Sequence, residues 1–148
     1  MTTDRLDLSA LRNAITSLED GIGVVRDEGW FALQSAAVRN TLVAGVIQNF
    51  ELVYELGFKM LKRQIEAEAA NPSEVDEFGF RDLLRVAAEK GLITDVEAWF
   101  VYRKMRGTTS RVYSHAYDHD KARLVYQGVL RFLDDARALL AALVTRNA

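Results

Sequence analysis

The chain contains no cysteine, which excludes disulfide frameworks, zinc ribbons, iron–sulfur ligation and a thiol nucleophile together. It has one proline and nine glycines in 148 residues, too few for a linker-rich or loop-dominated chain. Long apolar runs are missing as well. The longest stretch without a charged residue is Asn40–Phe50, well short of the ~18 apolar residues that suggest a membrane span. Asp4 and Arg5 interrupt the N-terminus before a signal-like apolar core can form. A soluble cytoplasmic protein with no membrane association is expected. Charge of one sign is lacking too: 19 basic against 21 acidic residues give a net charge of −2. The chain as a whole is therefore no basic nucleic-acid binder, and any basic site must be local.

What is present is a hydrophobic content of 49% with 27% charged residues, the balance of a folded domain of about the usual size. One domain over 1–148 is expected. From Asp7 to about Arg26, the residues Leu8, Leu11, Ile15, Leu18 and Ile22 recur every three or four positions, the spacing of one helix face. Asp7 or Ser9 is available as its cap. After a less regular stretch from Gly29 to Ser35, a long helix is predicted from about Ala37 to Ala69. Its stripe is Val43, Val46, Ile47, Phe50, Val53, Tyr54, Gly57, Leu61 and Ile65, and such a stripe must bury itself against other helices. Glu51, Glu55, Lys59, Lys62 and Glu66 occupy the other face.

Pro72 reads as the stop after that helix. A shorter helix from about Gly79 to Lys90 would turn Phe80, Leu83, Leu84 and Ala87 inward, with Gly91 where helices commonly end left-handed. Thr94 and Glu97 have the spacing of a capping box for a fourth helix carrying Val96, Trp99, Phe100 and Arg103. That helix is expected to falter at Gly107. A last helix from about Lys121 to Val144 presents Val125, Val129, Phe132, Leu133, Ala136, Leu140 and Leu143, with Asp118 or Asp120 as its cap. With no strand signal in competition, the fold class is all-α. An up-and-down antiparallel bundle of about five helices around a four-helix core is predicted.

The segment Tyr102–Asp120, YRKMRGTTSRVYSHAYDHD, is the informative one. Arg103, Lys104, Arg106 and Arg111 fall in it before Tyr117 with no acidic residue among them, and it holds both histidines, His115 and His119. Guanidinium forks match phosphate oxygens, tyrosine rings stack on bases, and the hydroxyls of Thr108, Thr109, Ser110 and Ser114 can donate to phosphate. The composition suits a nucleotide or a single-stranded RNA backbone. A solvated basic helix face followed by a capping loop accounts for it equally. His115 and His119 with Asp118 and Asp120 superficially resemble a metal cluster, but no third histidine or cysteine exists to close one, and the aspartates serve as caps. No metal and no cofactor is predicted. A Gly-rich phosphate loop, a nucleophile elbow and the paired aspartates of a nucleotidyltransferase are all absent. Glu51 and Glu55 lie one turn apart, where pairing with Lys59 and a ligand-facing role are both open.

The runs VIQNFELVYELGFKMLKR from Val46 to Arg63, EKGLITDVEAWFVYRKMR from Glu89 to Arg106 and SHAYD from Ser114 to Asp118 resemble the nucleotidyltransferase substrate-binding protein family. This family belongs to the HEPN superfamily and is related to the HepT toxins. The resemblance covers most of the chain. It implies a five-helix homodimer acting beside a separate catalytic nucleotidyltransferase, with a nucleotide or RNA as ligand. The family pattern is Arg, usually followed by Asn, with about four residues between the Arg and a His and with Tyr two beyond the His, a spacing that neither arginine here has. His115 and Tyr117 match the His-x-Tyr part, and Arg106 best matches the arginine, yet Gly107 replaces Asn and eight residues separate Arg106 from His115. Arg111 has only three residues between.

On one continuous helix, at ~100° per residue, Arg106 and His115 fall on opposite faces, whereas Arg111 and His115 share one. Arg106 can reach His115 only if the helix breaks, for which Gly107 is a permissive place. The expected function is a substrate-binding subunit of a two-component, toxin–antitoxin-like nucleotidyltransferase, using Arg106, Ser110, Arg111, Ser114, His115, Tyr117, Glu51 and Glu55. The alternative is a metal-independent ribonuclease in which His115 and Arg106 or Arg111 are catalytic. In that case the partner silences the toxin by adding a nucleotide to Tyr117. A helical scaffold that only dimerises and docks its partner is the third possibility.

Overall fold

A computed structural model describes the backbone of residues 5–114 and 119–148 and the side chains of 5–109 and 125–148. Among the described residues there are seven helical segments and no strand: α1 (Ser9–Arg26), α2 (Glu28–Ala32), α3 (Ala36–Glu68), α4 (Pro72–Val75), α5 (Phe80–Glu89), α6 (Val96–Ser114) and α7 (His119–Arg146). The five expected helices are α1, α3, α5, α6 and α7. The short α2 and α4 occupy the connections.

Contacts along the chain give the helix directions. Leu6 N donates to Asn147 Oδ1, and Glu19 pairs with Arg137, so α1 and α7 are antiparallel. Asn49 Nδ2 donates to the Ser17 carbonyl, while Gly57 faces Leu11, so α1 and α3 are antiparallel too. Trp99 and Tyr102 meet Phe132, and Met105 meets Gly128, setting α6 antiparallel to α7. Phe50 lies against Phe132 and Gly57 against Leu139, so α3 and α7 run parallel across the bundle. This is up-down-up-down order with α3 and α7 on the close diagonal.

The predicted stripes are the core. Leu8, Leu11, Ile15, Leu18 and Ile22 are all buried, as are Val46, Ile47, Phe50, Val53, Tyr54, Gly57, Leu61 and Ile65. Phe50 and Phe132 meet edge to face with centroids 4.8 Å apart, a favoured aromatic geometry. Tyr102 and Leu139 are buried beyond the expected sets.

Local signals held in part. Gly91 ends α5 at φ 77°, the left-handed conformation expected of it. Pro72 does more than stop α3: it opens α4 at the first helical position, where its missing N–H costs nothing, and Asn71 caps it by accepting from Ser73 N. The cap of α6 is Asp95, which accepts from Ala98 N at 3.1 Å, one residue later than the predicted Thr94 box. Aspartate offers a charged acceptor to the helix start, and it also receives Arg131. Asp120 lies inside α7 rather than ahead of it, and Asp118 lies outside the described residues.

The predicted break at Gly107 does not occur. α6 continues through it to Ser114. Glycine in a helix interior costs ~0.5–1 kcal/mol against alanine, a penalty small enough for packing to overcome. The buried Thr109, one turn beyond Arg106, keeps the second half of α6 against its neighbours.

Candidate functional site

Glu51 and Glu55 stand one turn apart on α3, and α6 crosses them antiparallel, so its Arg106 enters between them. Arg106 Nη1 lies 2.9 Å from Glu51 Oε2, Nη2 lies 2.6 Å from Glu55 Oε1, and Nε donates to the same Glu55 oxygen at 3.1 Å. The pairing with Lys59 that the sequence left open is not made; α6 supplies the cation from across the bundle. Glu51 therefore does not belong to the solvent-facing side of α3, since its side chain is only 18% exposed.

Burial pushes the Glu51 carboxyl above the usual glutamate value, the Arg106 charge and the nearby Thr109 hydroxyl oppose it, and Glu55 adds a further push upward. The Thr109 proton goes to the Arg106 carbonyl oxygen at 2.9 Å. Glu51 Oε1 is left buried without a hydrogen-bond partner. The hydrogen bond to Glu55 leads the causes that raise Arg106 above its ordinary value. Two carboxylates share the Arg106 guanidinium, and the contact links α6 to α3.

Tyr54, one turn from both Glu51 and Phe58 on α3, is 8% exposed. Burial raises its hydroxyl pKa, and the charges of Arg103 and Arg106 pull it back down. Arg103 thus borders the same site, with its Cζ 4.2 Å from the ring centre of Phe80. This second arginine was visible only as part of a basic run. Its link to Phe80 on α5 depends on how α5 packs against α6.

Of the predicted site residues, the structure brings together Arg106, Glu51 and Glu55. Ser110, Arg111 and Ser114 lie on the backbone of α6, and their side chains fall outside the described residues. His115 and Tyr117 also lie outside them. His119 opens α7. Among the described residues no group of three His, Asp or Glu side chains is arranged to hold a metal ion, and no helix there is long and apolar enough to cross a membrane.

The comparisons with known proteins agree with this architecture. The family described as nucleotidyltransferase substrate binding protein like matches residues 6–145. The chain is 44% identical over 147 residues to a Haemophilus influenzae protein named probable ribonuclease HepT, covering 99% of this chain and 98% of that one. A solved Haemophilus influenzae structure, described as revealing the fold of a substrate binding domain of a nucleotidyltransferase, superposes with a TM-score of 0.87 at 42% identity. That match covers 93% of this chain and 98% of the other. With the family match over residues 6–145 and near-complete coverage of both relatives, the chain belongs to the nucleotidyltransferase substrate-binding protein-like family.

Proposed function

We propose that this chain is the RNA-cleaving member of a two-component, toxin–antitoxin-like pair whose other member is a catalytic nucleotidyltransferase. The observation that carries the reading is the unbroken run of α6 through Gly107 to Ser114. Along that unbroken helix Arg106 is already held by Glu51 and Glu55. This supports Arg111, four positions before His115 in the sequence, in the part of the family arginine. The likeness to a full-length protein named probable ribonuclease supports the same reading.

In this mechanism His115 takes the proton of a ribose 2′-hydroxyl or protonates the leaving 5′-oxygen. The 2′-oxygen bonds to phosphorus as the bond to the 5′-oxygen breaks, giving a cyclic phosphate and a free 5′-hydroxyl. Arg111 stabilises the charge that develops on the phosphate, with Ser110 and Ser114 as further donors. The partner transfers a nucleotidyl group from a nucleoside triphosphate to Tyr117: the hydroxyl oxygen, losing its proton, bonds to the α-phosphorus as the α–β anhydride breaks and pyrophosphate leaves. The added phosphodiester, two positions from His115 in the sequence, blocks the site. The chain acts as a homodimer in the cytoplasm.

The second reading is a subunit that binds a nucleotide-bearing substrate without cleaving it. The solved relative described as a substrate binding domain favours it, as does the lengthened Arg106-to-His115 interval. Incubating purified protein with single-stranded RNA in EDTA separates the two. Cleavage that disappears in both His115→Ala and Arg111→Ala, and persists in folded Arg106→Ala, is the expected result. Cleavage by neither wild type nor variants, with nucleotide binding retained, would establish the binding subunit instead.

A further inference from the structure

Beside the Arg106 clamp, α3, α5 and α6 contribute a cluster of phenylalanines with arginines laid over it. Phe58 stacks on Phe80 with centroids 5.3 Å apart and planes 27° apart, and Phe80 meets Phe100 edge-on at 5.6 Å. Arg103 Cζ sits 4.2 Å from the centre of Phe80, and Arg81 Cζ sits 4.7 Å from that of Phe100. Both arginines are exposed, whereas the rings beneath them are half-buried. Among the described residues neither guanidinium is paired with a carboxylate.

This contrasts with Arg106, and with Arg131, Arg137 and Arg146, each of which has an acidic partner. Cation–π contact holds Arg81 and Arg103 in place from below. It leaves their outer faces and N–H groups toward solvent. A guanidinium so held is pre-organised for two tasks at once: stacking a nucleobase on its flat face and donating to a phosphate from its edge. Arg103 also lies one helical turn from Arg106, and both charges act on Tyr54, so the cluster borders the Arg106 clamp.

We infer that Arg81 and Arg103 form a subsite that takes unpaired nucleotides of a single-stranded RNA. This rests on the RNA-directed reading above and adds to it a strandedness requirement. Bases inside a duplex have no free face to offer two separated guanidinium planes. The preferred substrate is therefore an unpaired oligonucleotide, with little base selectivity because every base has a stacking face.

The test uses full-length His115→Ala protein, which keeps the probe intact, and a fluorescein-labelled single-stranded RNA of about twelve nucleotides, within the span that stacking sites accommodate. Its duplex form is run beside it. Expected is preference for the single strand over the duplex, with affinity for the single strand about tenfold lower in Arg81→Gln/Arg103→Gln. Arg81→Lys/Arg103→Lys keeps the charge and loses the plane, and is expected to recover only part of that affinity. Full recovery by lysine would reduce the subsite to simple charge attraction and overturn the stacking assignment. Equal single-strand affinity in the glutamine variant, with an unchanged melting temperature, would overturn the subsite altogether, as would no binding by the parent protein. Cleavage by the wild-type chain is measured separately. Its absence together with arginine-dependent binding would sink the ribonuclease and leave the subsite standing; His115-dependent cleavage without arginine-dependent binding would do the reverse.

Discussion

Arg106 Nη1 on α6 lies 2.9 Å from Glu51 Oε2 on α3, and this contact ties the residue that best matches the family arginine to a carboxylate of the neighbouring helix. Removing the guanidinium leaves a largely buried carboxylate alone. Arg106→Ala is expected to lower stability by about 1–3 kcal/mol near neutral pH. The Glu51 carboxyl already has a raised pKa in the folded chain, so its ionisation works against folding as pH rises through the usual value toward the raised one. Without Arg106 that opposition grows. The deficit of Arg106→Ala should therefore be larger at pH 7 than at pH 4, and Glu51→Gln should relieve part of it. Denaturant titrations at the two pH values check this, and a deficit independent of pH would mean that the pair contributes only packing.

Phe50 has no exposed surface, and its ring meets Phe132 edge to face. Truncation in such a place removes buried area and opens a cavity. Phe50→Ala should cost about 3–5 kcal/mol, read from urea unfolding. A loss below about 1 kcal/mol would place the ring outside the core that joins α3 to α7.

Glu68 ties the end of α3 to the chain's C-terminal helix through Arg146 at 2.6 Å and to Lys90 at 3.3 Å, with Gln64 donating as well. Burial resists its ionisation, but the three hydrogen bonds outweigh burial and hold the carboxyl below the usual glutamate value. A lowered folded pKa contributes stability above the unfolded value, lost as pH falls through the folded one. Glu68→Gln should therefore melt lower than wild type at pH 7, and the two melting temperatures should converge in acid. A gap that stays constant down to acid pH would contradict the assignment.

Gly107 sits inside α6, and among the described residues nothing lies within 4 Å of the position an added Cβ would occupy. If α6 works as one uninterrupted rod, Gly107→Ala should stabilise the protein by about 0.5–1 kcal/mol. RNA cleavage should survive the change. A stabilised but inactive variant would instead reveal that the site depends on bending there.

Tyr117→Phe removes the hydroxyl proposed to receive the nucleotide. Incubation with the partner nucleotidyltransferase and labelled ATP should then leave the chain unlabelled while RNA cleavage escapes silencing. Labelling at the wild-type level would move the acceptor elsewhere.

The amino-acid sequence by itself determined the all-α class, the five principal helices and nearly all of their inward faces. It could do so because helical periodicity is local: Leu11, Ile15 and Leu18 must share a face wherever the helix docks, and Gly91 marks its turn through its own backbone freedom. The resemblance carried by Val46–Arg63 and Glu89–Arg106 also pointed to the family directly. Three things were decided only by tertiary packing. For Glu51 and Glu55 the local pattern left pairing with Lys59 and a ligand-facing role both open, and the partner they take, Arg106, is remote in sequence and reached by the antiparallel crossing of α3 and α6. Gly107 looked like a break, because its local penalty was visible and the burial of Thr109 that offsets it was not. Arg103 was legible only as one of a basic run, and it took the packing of α5 beside α6 to put Phe80 beneath it and Phe100 beneath Arg81. Such outcomes depend on which faces meet, and that is a property of the assembled helices rather than of any one segment.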